Sequence, residues 1–151
     1  MTEPDLFAEE KNLFNDYLAK HRLKRSEQRE AILDAFLASE DHLSVEDLLK
    51  LAQKRRADVG RTTVYRTLKL LCDAGLASEM EVGGETRFER DYNREHHDHL
   101  ICEECGRIIE FQSPQIERLQ EEVATRLGFA ITRHRHQIFG LCRECRERVR
   151  P

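Results

Sequence analysis

Apolar residues recur at helical spacing through most of the first half of the chain. The positions that predict a first helix are Leu6, Phe7, Leu13, Phe14, Tyr17 and Leu18, and those that predict a second are Ile32, Leu33, Phe36 and Leu37, after an N-cap at Ser26. A third helix is expected to begin at Ser44, with Asp47 completing a near capping box. A fourth runs from about Arg61 to Ala74 and ends before Gly75.

Strict alternation replaces helical spacing after residue 75. Two alternating stretches, 77–82 and 85–89, flank Gly83-Gly84, a pair typical of a tight hairpin turn. The last three of these helices, followed by the hairpin, predict a winged helix-turn-helix, with the first as an extra N-terminal helix. On a helical wheel, the fourth helix has an apolar back and a polar front, the latter formed by Thr62, Tyr65, Arg66, Lys69 and Asp73. The polar front suits the major groove of DNA, although an ordinary amphipathic surface helix has a similar pattern.

The second half predicts a mixed α/β unit, so the fold class expected for the whole chain is α+β. Short strands are expected at 99–102 and 107–111, around a Cys-x-x-Cys-Gly turn. A helix begins at Ser113-Pro114 and ends at Gly128, and its buried stripe is predicted to be Ile116, Leu119, Val123 and Leu127. Residues 129–139 are predicted to be extended. We therefore expect an N-terminal domain over 1–90, a hinge linker over 91–95 and a C-terminal domain over 96–151.

Composition narrows the function classes. The 151 residues suffice for one domain or two small ones, and no run of about 18 apolar residues predicts a membrane span. No secretory signal is visible, so a cytoplasmic location is expected, where five cysteines favour metal ligands or free thiols over disulfides. The net charge of −4 weighs mildly against a non-specific nucleic-acid binder, but basic residues cluster in 20–29 and 54–69.

Two Cys-x-x-Cys pairs give the strongest spacing signal in the chain. Cys102 with Cys105 and Cys142 with Cys145 each place two thiolates on one tight turn. Two such turns make a tetrahedral four-thiolate site for structural zinc, because four protein ligands leave no open position for catalysis. The alternatives are two independent surface pairs or a redox Cys-x-x-Cys.

A second signal is the run His96-His97-Asp98-His99. Successive side chains of a strand point to opposite faces, so His97 and His99 share one face and His96 and Asp98 share the other. One segment can therefore supply two separate metal sites. Imidazole and carboxylate ligands fit iron(II), manganese, cobalt or zinc, whereas the alternative is a solvated polar run.

From about residue 20 to residue 145, the sequence resembles the ferric uptake regulator (Fur) family of metal-dependent bacterial repressors. The motifs that carry the resemblance are His-Leu-Ser-Val-Glu-Asp-Leu at 42–48, Thr-Val-Tyr-Arg-Thr-Leu at 63–68, His-His-Asp-His-Leu-Ile-Cys-x-x-Cys-Gly at 96–106 and Ile-Glu-Phe at 109–111. The resemblance implies an N-terminal winged-helix DNA-binding domain and a C-terminal dimerisation domain. It also implies a homodimer on double-stranded operator DNA, with pairing into tetramers left open.

The resemblance also implies roles for individual residues. The four cysteines would hold structural Zn²⁺. The ligands implied for a regulatory ion are His42, Glu89, His97, His99 and Glu110. Those implied for an additional metal site are His96, Asp98, Glu117 and His134. The DNA contacts implied by the resemblance are Lys24, Tyr65 and Arg66, to which the polar helix face adds Thr62 and Lys69.

The function implied is a repressor, not an enzyme, that controls iron uptake in response to Fe²⁺, with Mn²⁺, Co²⁺ or Zn²⁺ able to substitute. Peroxide-sensing relatives tend to carry aspartates where this chain has Glu89 and Glu110, so the two glutamates favour an iron sensor. A zinc sensor is the alternative that stays open, because ligand type alone selects poorly among these ions. A metallohydrolase would be expected to carry a motif such as His-Glu-x-x-His, which the sequence lacks. A zinc-ribbon interaction module would not need the polar helix face. The segment before Lys20 is longer than in many relatives, and its role is left open between DNA, the dimer and neither.

A switch follows from the position of the regulatory ligands along the chain. His42 and Glu89 belong to the first half, whereas His97, His99 and Glu110 belong to the second. An ion bound by both sets would tie the halves together across the hinge. In a dimer, this would set the spacing of two recognition helices against operator half-sites.

Overall fold

The computed structural model describes residues 7–92 and 96–149. Its contacts divide the chain into two compact units, Met1–Arg94 and Glu95–Pro151. Three parts of the predictions lie outside the described residues. They are residues 1–6 of the N-terminal domain, which include Leu6 of the first predicted helix, residues 93–95 of the predicted hinge, and residues 150–151 of the C-terminal domain. Among the described helices, none has the length and apolar character needed to cross a membrane.

The first unit consists of four helices followed by a two-stranded hairpin. Its elements are α1 (Ala8–Lys20), α2 (Glu27–Leu37), α3 (Val45–Arg55), α4 (Arg61–Asp73), β1 (Ala77–Val82) and β2 (Glu85–Arg90). The predicted caps are present: the Ser26 hydroxyl accepts a hydrogen bond from the Arg29 N–H, and Ser44 and Asp47 form a reciprocal capping box. Gly83 and Gly84 have positive φ, which the tight turn between antiparallel β1 and β2 requires.

One hydrophobic core holds the first unit together. α4 contributes Val64, Leu68 and Leu71 from its apolar back, and all three are fully buried. Phe14 and Leu18 from α1 join the same core, as does Phe88 from the hairpin. The winged helix-turn-helix prediction is therefore confirmed, with α1 as an added helix that packs into its own unit.

The second unit is a three-stranded sheet with two helices. Its elements are β3 (Asp98–Cys102), β4 (Ile108–Phe111), α5 (Pro114–Arg126), β5 (Gln137–Gly140) and α6 (Arg143–Val149). β3 is the central strand, antiparallel to β4 and parallel to β5. The Ser113 hydroxyl caps α5, and Pro114 occupies its first turn as predicted. The mixed α/β prediction is confirmed.

Two details of the second unit differ from prediction. Of the stretch 129–139, only 137–139 is strand, as part of β5, because 129–136 has no strand pairing among the described residues. The stripe predicted to be buried on α5 is instead largely exposed, with Leu119 at 54% and Leu127 at 66%. Periodicity correctly identified an apolar face, but no described element of this chain covers it.

Candidate metal centres and DNA-reading surface

Four cysteines of the second unit converge. Cys102 ends β3, and Cys105 follows on the β3–β4 turn. Cys142 directly precedes α6, and Cys145 lies in its first turn. Their sulfurs all lie within 4.8 Å of one another, and the Cys105 and Cys142 Sγ atoms are 3.8 Å apart. Zinc–sulfur bonds of about 2.3 Å in a tetrahedron separate the sulfurs by about 3.8 Å, so the group fits zinc.

Ionisation of these thiols differs with their surroundings. Hydrogen bonds from the backbone N–H groups of Cys105 and Cys142 lower the pKa of Cys102 to about 6. A hydrogen bond with Cys142, together with burial, raises the pKa of Cys145 to about 12. Without a cation the cluster therefore holds a mixture of thiol and thiolate, and a divalent cation would favour the fully ionised form.

A second cluster lies at the start of β3. The candidate ligand atoms of His96, Asp98, Glu117 and His134 lie within 4.8 Å of one another. His96 Nε2 lies 3.0 Å from both Asp98 Oδ1 and Glu117 Oε1, and His134 Nε2 lies 3.2 Å from Glu117 Oε2. Asp98 is only 1% exposed, and its Oδ2 has no hydrogen-bond partner among the described residues. A buried, unpartnered carboxylate oxygen beside two imidazoles fits a divalent cation.

His42 and Glu89 form a close pair in the first unit. An isolated antiparallel bridge joins Leu43 to Phe88, with N–O distances of 2.8 and 2.7 Å. The bridge brings the loop before α3 against the end of the hairpin. His42 Nε2 consequently lies 2.7 Å from Glu89 Oε2, with the Glu89 side chain only 3% exposed.

The second unit has its own imidazole–carboxylate group. The rings of His97 and His99 are 4.8 Å apart between centroids, consistent with two side chains on one face of an extended segment. His97 Nε2 lies 3.6 Å from Glu110 Oε1, and Glu110 is the β4 register partner of His99. The four-residue run thus supplies two distinct groups within its unit, separated as strand alternation requires.

The polar face of α4 is available at the surface of the first unit. Thr62, Tyr65 and Arg66 are exposed, with Tyr65 at 47%. Lys69 is half-buried: its ammonium lies 2.6 Å from Glu79 on β1 and 5.7 Å from the centre of the Tyr65 ring. The hydrogen bond that the Lys69 ammonium donates to the Glu79 carboxylate raises the pKa of Lys69. Lys24 is exposed, and its carbonyl accepts a hydrogen bond from Arg29.

Sequence reasoning missed two ion pairs and one helix. Arg107 Nη1 lies 2.8 Å from Glu144, which joins the turn after the first cysteine pair to α6, the unpredicted helix of the second pair. Arg90 pairs with Glu10 of α1, a residue 80 positions earlier. Neither pair has a local sequence signal, although Glu144 does stand between Cys142 and Cys145.

The profile of the ferric uptake regulator family matches residues 20–139. The ferric uptake regulation protein of Campylobacter jejuni is 39% identical over 134 residues, which cover 87% of this chain and 85% of that protein. The peroxide-responsive repressor PerR of Staphylococcus epidermidis is 30% identical over 131 residues, covering 86% of each.

A solved structure gives the same result. The ferric uptake regulator Fur of Helicobacter pylori, which has three functional metal-binding sites, superposes with a TM-score of 0.81 at 31% identity and covers 97% of each chain. The long match, the helix-and-hairpin unit and the clustered thiols agree with one another. The chain therefore belongs to the ferric uptake regulator family of metal-responsive transcriptional repressors, which are not enzymes.

Proposed function

We propose that this chain represses genes of iron uptake by binding operator DNA as a homodimer when iron(II) is bound. The observation that carries the proposal is the His42–Glu89 pair, in which the buried Glu89 carboxylate near the end of β2 lies 2.7 Å from the His42 imidazole. A structural role alone would not call for a second imidazole–carboxylate group, His97, His99 and Glu110, in the other unit. We assign both groups to one regulatory ion.

The remaining clusters have separate assignments. Cys102, Cys105, Cys142 and Cys145 hold structural zinc, supported by the 3.8 Å sulfur separation. His96, Asp98, Glu117 and His134 hold an additional divalent ion, supported by the buried Asp98 oxygen. The three assignments are consistent in number with the three metal sites of the Helicobacter pylori relative.

The regulatory ligands act by restricting the two units. When His42 and Glu89 bind the same ion as His99 and its neighbours, they limit the freedom of the linker near residues 91–95. Fewer arrangements of the two recognition helices in a dimer then remain, and those that match the half-site spacing are favoured. A coupling free energy of about 1–3 kcal/mol would change DNA affinity about 5- to 150-fold.

The exposed apolar face of α5 supports the homodimer. Leu119, Val123 and Leu127 share one side of α5, and Phe129 beside them is 72% exposed. Water-exposed apolar patches of this kind mark interaction surfaces. A second copy of the chain is the occupant that two operator half-sites require.

For DNA, we assign base reading to Arg66 and Tyr65 at the exposed front of α4, with Thr62 and Lys69 beside them. Lys24, which is also exposed, is assigned as an additional DNA contact. Arginine contacts guanine edges in a bidentate manner, whereas hydroxyl and ammonium groups mainly contact phosphates. The cytoplasm, where DNA is present, is the location that this activity requires.

The test is an anaerobic titration of the full-length chain against a duplex selected from a random library. Fe²⁺, Mn²⁺, Zn²⁺ and a chelator are compared. We expect Fe²⁺ to increase affinity, and Glu89→Gln and His99→Ala each to reduce the metal-dependent part while cysteine-bound zinc remains. The matched control is Glu85→Gln, the same change on the same strand at an exposed site.

Unchanged metal dependence in Glu89→Gln and His99→Ala would overturn the shared regulatory ion. Tight binding with Zn²⁺ but not Fe²⁺ would make the chain a zinc sensor instead. Loss of DNA binding after peroxide treatment of the Fe²⁺ form, with oxidation of a ligand imidazole by mass spectrometry, would indicate the peroxide-sensing class.

A further inference from the structure

The first turn of α1 is joined to the end of β2 by three contacts. The Arg90 guanidinium pairs with the Glu10 carboxylate through both Nε, at 3.3 Å, and Nη2. Arg90 also lies over the Phe7 ring, 4.7 Å from its centre. The Tyr92 hydroxyl hydrogen-bonds to the Glu9 carboxylate, which raises the pKa of Tyr92. Three kinds of interaction thus converge on residues 90–92.

Burial makes the Glu10–Arg90 contact geometrically demanding. Glu10 is 4% exposed, and the Arg90 side chain is 24% exposed. A desolvated ion pair is tolerated only where its geometry is good and its hydrogen bonds are satisfied, so two parallel N–H···O bonds hold it in one arrangement. α1 is itself held in the core of the first unit by Phe14 and Leu18, which are both buried. The Arg90 position is therefore tied to a rigid helix.

Arg90 directly follows Glu89 in β2. Glu89 and Arg90 pair with Ser78 and Ala77 of β1, at the end of the hairpin next to the Leu43–Phe88 bridge. Beyond Ala77↔Arg90 the pairing of β1 with β2 ends, with one further hydrogen bond from the Asp91 N–H to the Leu76 carbonyl at 3.1 Å. The α1 contacts fall at the point where the ladder stops.

We propose that α1 positions the regulatory metal ligand Glu89, with Glu10 and Arg90 as the positioning residues that hold the end of β2 in its ligand geometry. The inference rests on the proposed function, and it assigns the N-terminal helix a role in metal affinity rather than in DNA contact. α1 holds the strand end rigid, and this preorganises the Glu89 carboxylate. Outer contacts of this kind affect metal affinity by about 10- to 100-fold in other proteins.

The chain offers a matched control on the same helix. Lys11 Nζ lies 3.1 Å from Asp34 Oδ1, an ion pair that ties α1 to α2 instead of to residues 90–92. Lys11→Met removes this ion pair between α1 and α2 and leaves Glu10 and Arg90 unchanged. The double variant Glu10→Gln with Arg90→Met removes both charges of the buried pair together, so no uncompensated charge is left inside.

The experiment titrates Co²⁺ into the zinc-loaded, full-length chain and follows its visible absorption, in a His134→Ala background that weakens the additional site. We expect the double variant to bind Co²⁺ about tenfold more weakly, with an altered absorption envelope, and Arg90→Lys to recover part of the loss. Tyr92→Phe should give a smaller loss in the same direction. Lys11→Met should match the parent, and zinc content should be equal throughout.

Parental Co²⁺ affinity in the double variant would overturn the inference while leaving the proposed function intact. Equal weakening in Lys11→Met would also overturn it, because α1 would then act through general stability. If the double variant does not fold, the Co²⁺ affinities of Tyr92→Phe and Arg90→Lys test the inference instead. Parental Co²⁺ affinity in both of these variants would overturn it. A parent whose Co²⁺ absorption is unaffected by Glu89→Gln would instead overturn the proposed regulatory site.

Discussion

The two units of this chain achieve stability by different means. The first has a continuous core with side chains from every helix and the hairpin, including Phe14, Phe36 and Phe88. In the second, the buried apolar residues among those described are Ile101, Cys102 and Cys145, two of which are candidate zinc ligands. Its larger apolar side chains, such as Leu127 and Phe129, are exposed.

The first unit is stabilised by its own burial of apolar surface, whereas the second buries few apolar residues and is expected to depend on bound partners. Below a certain size a domain buries too little apolar surface to offset conformational entropy, and metals or oligomerisation compensate. The second unit combines a four-cysteine site with an unpartnered apolar face. Zinc and a second copy of the chain are therefore the expected sources of its stability.

Removal of one zinc ligand should have the largest effect. Cys102→Ser is expected to lose the zinc and the fold of the second unit, because structural zinc contributes about 10–16 kcal/mol of apparent binding free energy in small domains. Hydrogen exchange would then rise in β3 and β4 but stay low in α2 and α4. Cys72→Ser, at the half-buried fifth cysteine of the first unit, is the control and should retain zinc. If β3 stayed protected from hydrogen exchange after the zinc was lost, the second unit would not depend on zinc for its fold.

Truncation of a phenylalanine to alanine should lower the free energy of unfolding by different amounts in the two units. Phe36→Ala, at a 1% exposed position, should lower the free energy of unfolding of the first unit by about 3–5 kcal/mol. Phe129→Ala, at a 72% exposed position, should change the unfolding of the single chain little. Denaturant titration under conditions that keep the chain monomeric measures both. Similar losses would show that the second unit has a core of its own.

A charge on the apolar face of α5 should separate the proposed dimer. Val123→Glu is expected to raise the dissociation constant about 100-fold or more, equivalent to about 2.8 kcal/mol, because a carboxylate would be desolvated in the interface. Sedimentation equilibrium measures the change. Thr125→Glu introduces the same group on the opposite side of the same helix and should leave the dimer intact. Equal dissociation by both variants would remove this face from the interface.

The smallest effect is expected for the Lys69–Glu79 ion pair, which joins α4 to β1. Lys69→Met should lower the stability of the first unit by at most about 0.5 kcal/mol, since both partners are about one-third or more exposed to solvent. The pKa of Lys69 is raised, so this contribution is present at neutral pH and disappears as the pH rises through the raised value. Lys50→Met, at another exposed lysine, is the control. A loss above about 2 kcal/mol would indicate a deeper structural role for Lys69.

Local patterns predicted much of the fold. The Ser44–Asp47 box, the Ser26 cap and the Gly83-Gly84 turn are set by hydrogen bonds and backbone angles within a few residues. Helix and strand periods likewise depend only on neighbours along the chain. Long-range features had weaker signals: 129–136 was predicted to be extended, but strand structure needs a partner strand.

The candidate sites divide in the same way. The pairing of thiols in Cys-x-x-Cys turns and the alternation of the His-His-Asp-His run were readable from the amino-acid order, because both follow from covalent spacing. The folded chain was needed to see that His42 lies 2.7 Å from Glu89, that Glu10 pairs with Arg90, and that the α5 stripe stays exposed. Those outcomes depend on which distant elements fold against one another, and the free energy of such contacts is distributed over many residues that no short motif contains.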